Sequence, residues 1–223
     1  TGEIPLNAGI DNMVIYVEGT WNRTGKTINL GAKNTIIVLE GGKIIANELS
    51  MPSNTPIFTN FGTAEFNRLT ANNTGYINNY AVLNIKERLS IPSEGAFVNT
   101  GTFITKDIVI NSNGTFNNSG TVTVTGEMNL PSGAQVLNTG LAIFKKVTGN
   151  SNTGILTNEG YMSINELNFI NTVFNVNCHT TVSTVTEFNG AKVNIAAGAR
   201  LDINTINTSG GVLYTLGKES ILV

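Results

Sequence analysis

The chain has 223 residues, a formal net charge of −2 and only 13% charged residues. It shows no basic stripe to draw nucleic acid or an anionic membrane surface, no apolar run near the roughly 18 residues of a spanning helix, and a single cysteine, Cys178, which excludes an internal disulfide framework or a cysteine-rich metal site. Asn is the main polar residue type and stands beside 24 Gly, a bias toward turns and side-chain ladders rather than helices.

The opening TGEIPLNAGIDN lacks a basic segment followed by an apolar one. Residues 1–12 are expected to cap a solenoid. Low charge with abundant Asn, Thr and Gly fits an exported bacterial surface protein, so an extracellular or cell-surface location is expected, with the export signal absent from this chain. A first coil is read at V-E-G-T-W, Val17 to Trp21, and a second at V-L-E-G-G, Val38 to Gly42, which places Glu40 one repeat length before Asn60.

From there the chain repeats. Asn60, Asn79, Asn99, Asn118, Asn138 and Asn158 follow one another at intervals of 19, 20, 19, 20 and 20. Two positions before each stands an apolar residue: Phe58, Ile77, Phe97, Phe116, Val136 and Leu156. Two positions after stands a small one: Gly62, Ala81, Gly101, Gly120, Gly140 and Gly160. Alternating positions follow at plus four and plus six, such as Phe103 with Thr105 and Val122 with Val124, and period two signals strand. A third apolar run at plus nine to plus twelve ends in turn sequences, P-S-E-G at Pro92, S-N-G at Ser112 and P-S-G at Pro131, with Gly and Asn expected at positive φ. Two or three short strands in about 20 residues cannot bury their own apolar face, whereas coils stacked at about 4.8 Å can. The expected fold is all-β, a parallel β-helix of about ten coils, regular over about 13–215 and forming a single domain across 1–223. Like residues recur because each lies on its counterpart, and the six Asn are expected to form a ladder.

Charge gathers at plus eight, in Arg68, Glu87, Asp107, Lys146 and Glu166, with Arg88, Lys106, Glu127 and Lys145 beside them. Mixed signs point to a solvated edge with weak ion pairs between coils. Beyond the regular coils, F-N-V-N-C-H puts Asn177 one repeat length after Asn158, with His179 in the place of the repeat's glycine, and V-N-I-A-A-G at Val193 continues the pattern. The apolar ESILV at the C-terminus predicts an open strand edge and an adjoining domain in a longer protein.

The segments F-V-N-T-G-T-F-I-T at Phe97, F-N-N-S-G-T-V-T-V at Phe116 and V-L-N-T-G-L-A-I-F at Val136 resemble the 19–20-residue repeats of filamentous-haemagglutinin-type bacterial surface proteins. The resemblance is good over about residues 56–170. It implies a right-handed, single-stranded β-helix on a secreted or surface-displayed protein, serving adhesion or acting as a stalk.

Catalysis on such a fold calls for clustered carboxylates. The three aspartates, Asp11, Asp107 and Asp202, are spread along the rod. Glu87 and Asp107 are read as stacked neighbours flanked by Arg88 and Lys106. Cys178 with His179 is read as a packed thiol beside a surface imidazole, because one Cys and one His supply neither a converging nucleophile pair nor a metal shell. No catalytic, cofactor or metal residues are assigned. The aromatics are better candidates for ligand contact: Phe61 and Tyr80 at plus one should point outward on adjacent coils, with Tyr76 near the turn between them. The expected role is therefore a non-enzymatic spacer or adhesive rod. Its expected partner is a surface glycan or a host or neighbour-cell protein, without nucleic acid or membrane insertion. A carbohydrate-binding or polysaccharide-degrading β-helix is the alternative.

Overall fold

The computed structural model describes residues 12–52, 55–72, 74–207 and 210–223, so the expected cap over 1–12 lies, but for Asn12, outside the described residues. The described chain forms 22 strands and no helix. They alternate between short strands of four residues, such as Ala96–Asn99 and Thr115–Asn118, and longer strands mostly of nine or ten, such as Thr102–Ile110 and Thr121–Leu130. All short strands pair in parallel into one eleven-stranded sheet and all long ones into another, each strand beside the next of its own kind. The result is a parallel β-solenoid of about ten turns, roughly 50 Å long at a 4.8 Å inter-strand spacing.

Each coil has two strands where two or three were expected. The second and third apolar runs of the repeat are one long strand, whose pairing with its neighbour shows a register shift just after plus six in half of the long-strand pairings. In the strand Thr102–Ile110 the pairing skips between Thr105 and Asp107 on one side and between Thr105 and Ile108 on the other. The bend leaves two successive residues facing outward here, Lys106 and Asp107, where the neighbouring strand Val82–Ile91 leaves three, Lys86, Glu87 and Arg88. The register shift takes up that difference, so that the inward alternation resumes in step beyond it.

Inward positions follow the repeat. The plus-four to plus-eleven series of one coil, Phe103, Thr105, Ile108 and Ile110, is fully buried, and so are its counterparts in the next coil, Val122, Val124, Met128 and Leu130. Phenylalanines stack through the middle: Phe97 lies over Phe116 with ring centroids 5.2 Å apart, and Phe103 packs on Phe97 at 4.7 Å. Such aromatic pairs each contribute about 0.5–1.5 kcal/mol beyond the area they bury.

The asparagine ladder is continuous. Register places Asn60 on Asn79, then Asn99, Asn118, Asn138 and Asn158. Each Nδ2 donates to the Oδ1 of the next, at 2.7–2.8 Å, through five rungs. The same amides also donate to main-chain carbonyls where the chain turns between strands, as Asn118 does to Gly120 and Leu141. A buried amide is therefore satisfied and holds the corner in one conformation.

Register departs from constant spacing at both ends of the ladder, which corrects two expected positions. Val38, not Glu40, lies beside Asn60, and Val176, not Asn177, beside Asn158. The turn Leu39–Gly42 is two residues longer than its counterpart Phe61–Gly62, which misplaces a marker counted at constant spacing. Asn158 ends the ladder by donating to Thr180 Oγ1 at 2.9 Å, while Asn177 is exposed and reaches Glu159. Turn chemistry is also redistributed. In P-S-E-G the positive φ belongs to Glu94, at 57°, and in S-N-G to Asn113, at 62°. The glycines that follow serve close approach instead, since a Cβ on Gly114 would lie 2.8 Å from the Pro92 carbonyl oxygen.

Candidate functional site

The corner after the ladder carries the aromatic pair. Because each marker Asn points inward, the residue after it points out, and Phe61 and Tyr80 are 44% and 46% exposed. Their rings stack at 4.7 Å with planes 11° apart. Val82, also exposed, lies on the following strand of the same coil as Tyr80. Tyr76 stands four residues before Tyr80, at the other end of the short strand Tyr76–Asn79, with Asn78 between them donating to Thr59. Tyr76 thus lies on the outer face of the short-strand sheet and Phe61 and Tyr80 at the corner just beyond its edge, with Tyr76 roughly 13 Å from Tyr80 along the extended chain. A rigid, solvent-facing ring pair offers a flat apolar surface with one hydroxyl, the chemistry that receives the apolar face of a sugar or a partner's side chain.

The charged corner holds ion pairs between adjacent coils. Arg68 Nε lies 2.6 Å from Glu87 Oε2, and Lys146 Nζ 3.1 Å from Glu166 Oε1. The hydrogen bond to Glu166 raises the Lys146 ammonium above its ordinary value. Asp107 is not stacked on Glu87: the register shift sets Asp107 beside Arg88, and its Oδ1 accepts the Glu127 N–H at 2.9 Å. Glu127 in turn accepts from Thr148.

The Cys178–His179 region also differs from the sequence reading. The coil here is one position shorter than constant spacing assumes, so Cys178 occupies the glycine's place and His179 that of Tyr161. Cys178 is half-buried. His179 faces outward, edge-on to Tyr161 at 5.5 Å, with Nε2 3.1 Å from Asp202 Oδ2. Asp202 also accepts both of its 2.8 Å contacts from Arg200 Nε, and that bond, aided by His179, holds its carboxyl below the usual range. Among the described residues no three His, Cys, Asp or Glu side chains gather in a metal-holding group, and Asp11 lies outside them.

Sequence reasoning missed a column. At plus seven, the first outward residue of the bend, stand Asn47, Asn67, Lys86, Lys106, Thr125, Lys145, Asn165 and Ser183, each directly following a buried residue in inter-coil register. The spacing that revealed plus eight also contains this column, but merging the two leaves only mixed charge in view.

No protein-family model matches the chain, and no characterised protein or solved structure is detectably similar to it.

Proposed function

We propose that the chain is a non-enzymatic structural and adhesive module, a stiff solenoid of an exported bacterial surface protein that holds a contact surface away from the cell. The observation that supports this most is the unbroken parallel pairing from Val14 to Leu222, fastened inside by the five-rung ladder. A rod built by nearest-neighbour stacking keeps its ends at a fixed separation, which is what a spacer requires. The likeness of its 19–20-residue units to filamentous-haemagglutinin-type repeats, with their right-handed winding, belongs to this reading. The contact surface is the Phe61–Tyr80 platform with Tyr76, and its ligand a surface glycan or a protein of a neighbouring cell.

The test joins a glycan array with turnover assays on common polysaccharides. Binding that is lost in Phe61→Ser/Tyr80→Ser, without release of reducing ends, is the expected result. Measurable turnover by the purified chain excludes a purely mechanical role.

A further inference from the structure

The plus-seven column carries one sign. Lys86, Lys106 and Lys145 are its charged members between Asn47 and Ser183, and the others are Asn, Thr or Ser. All three lysines are exposed. Nearby carboxylates are engaged elsewhere: Glu65 with Lys43 at 2.7 Å, Glu87 with Arg68, Glu166 with Lys146, Asp107 with a main-chain N–H and Glu127 with Thr148. Among the described residues none of the three lysines has a carboxylate within ion-pair distance.

The column also lies in shallow hollows of the long-strand sheet. One, of about 410 Å³, is lined by Thr123, Thr125, Ile143, Lys145, Ser163 and Asn165. Another, of about 140 Å³, is lined by Asn47, Asn67 and Lys86 among others. Lys106 stands between them in the same column. Lys86 and Lys106 occupy adjacent coils and Lys145 lies two coils further, so the three amines fall within about 15 Å along the axis at a 4.8 Å coil spacing. Thr125 stands between them in the column, with Thr123, Ser163 and Asn165 alongside and the carboxylates of Glu65, Glu87 and Asp107 on the flanks. The aromatic rings in the hollows' linings, Phe66 and Phe144, are buried and present no stacking surface of the kind nucleic-acid grooves depend on.

We propose that this groove binds a linear acidic polysaccharide lying parallel to the solenoid axis. Its carboxylates meet Lys86, Lys106 and Lys145, its hydroxyls meet Thr123, Thr125, Ser163 and Asn165, and its ring faces rest on Ile143. Repetition of similar groups at each coil suits a polymer with a repeating unit, and the exposure of the lysines makes each contact modest, about fivefold in affinity at most. The site is separate from the Phe61–Tyr80 platform, so its failure leaves the spacer reading standing.

Calorimetric titration with polygalacturonate tests it, with dextran and single-stranded DNA as comparison polymers. Expected are binding to polygalacturonate that weakens with salt, roughly a tenfold or greater loss in Lys106→Gln/Lys145→Gln, and no change in Phe61→Ser/Tyr80→Ser. The lysines are exposed, so an unchanged far-UV spectrum and melting temperature verify that the variant is folded. Absence of binding, binding indifferent to the lysine substitutions, or equal affinity for dextran or DNA would overturn the proposal.

Discussion

Replacing Asn118 by valine isolates what the ladder contributes. The solenoid itself shows that valine fits this column, because Val38 and Val176 occupy it at the two ends and are fully buried. Overpacking is therefore small. Asn118 donates to Asn138 Oδ1 at 2.7 Å, Gly120 O at 3.2 Å and Leu141 O at 3.1 Å, and accepts from Asn99 Nδ2 at 2.7 Å. In Asn118→Val, Asn99 keeps its carbonyl partners Gly101 and Thr121, and Gly120 O keeps the Leu141 N–H. Asn138 Oδ1 loses its ladder donor inside a residue that is 1% exposed. A stranded buried acceptor costs about 1–3 kcal/mol, and the further lost bonds bring the total to about 2–4 kcal/mol. In urea unfolding followed by circular dichroism this lowers the midpoint by roughly 1 M, for a slope of about 2–3 kcal/mol/M. A variant with an unchanged midpoint and slope would refute the idea that the inward amides stabilise the corner.

Glycine at plus two makes a second prediction. A Cβ on Gly120 would fall onto the carbonyl oxygen of Gly101, whereas one on Gly19 meets nothing within 4 Å. Gly120→Ala should cost about 1–3 kcal/mol and Gly19→Ala should be neutral or slightly stabilising, as thermal melts would show. Lys146→Ala should change stability by no more than about 1 kcal/mol, and about 1 M salt should remove most of the difference, because the pair it breaks is about one-third exposed and open to screening. Asp202 has a folded-state carboxyl held low by Arg200 first and His179 second. Its contribution is present above the ordinary carboxylate pKa and is lost as pH falls through the depressed value. Asp202→Asn should therefore narrow the stability difference between neutral and strongly acid pH, and an identical acid-unfolding curve would contradict the assignment.

The fold was legible because its signal is redundant. Phe97, Asn99, Gly101 and Phe103 each recur at the same offset in Phe116, Asn118, Gly120 and Val122, and every one of these pairs is in inter-coil register or stacks at the turn. Counting failed where loops change length. Glu40 and Asn177 sat at the right distance from a marker but on the wrong residue, since strand register is fixed by which side chains point inward, not by total coil length. The strand Thr35–Val38 alternates half-buried and buried as Ile57–Asn60 does, and aligning those alternations identifies Val38. The plus-seven column was hidden for a related reason. Two or three outward residues stand in succession at the bend, and period-two reasoning has no place for the extra ones. The outward aromatic pair was legible from parity alone, but its stacking geometry depends on side-chain torsions that no spacing encodes.

The central claim is that successive coils lie in register with their asparagines in one row. Side-chain amide NMR on protein labelled at Asn tests this directly. The Nδ2 protons of Asn99, Asn118 and Asn138 should show contacts from each residue to the next and exchange with solvent far more slowly than those of exposed Asn177. Freely exchanging amides without mutual contacts would contradict the stacked-coil structure and the functional proposals built on it.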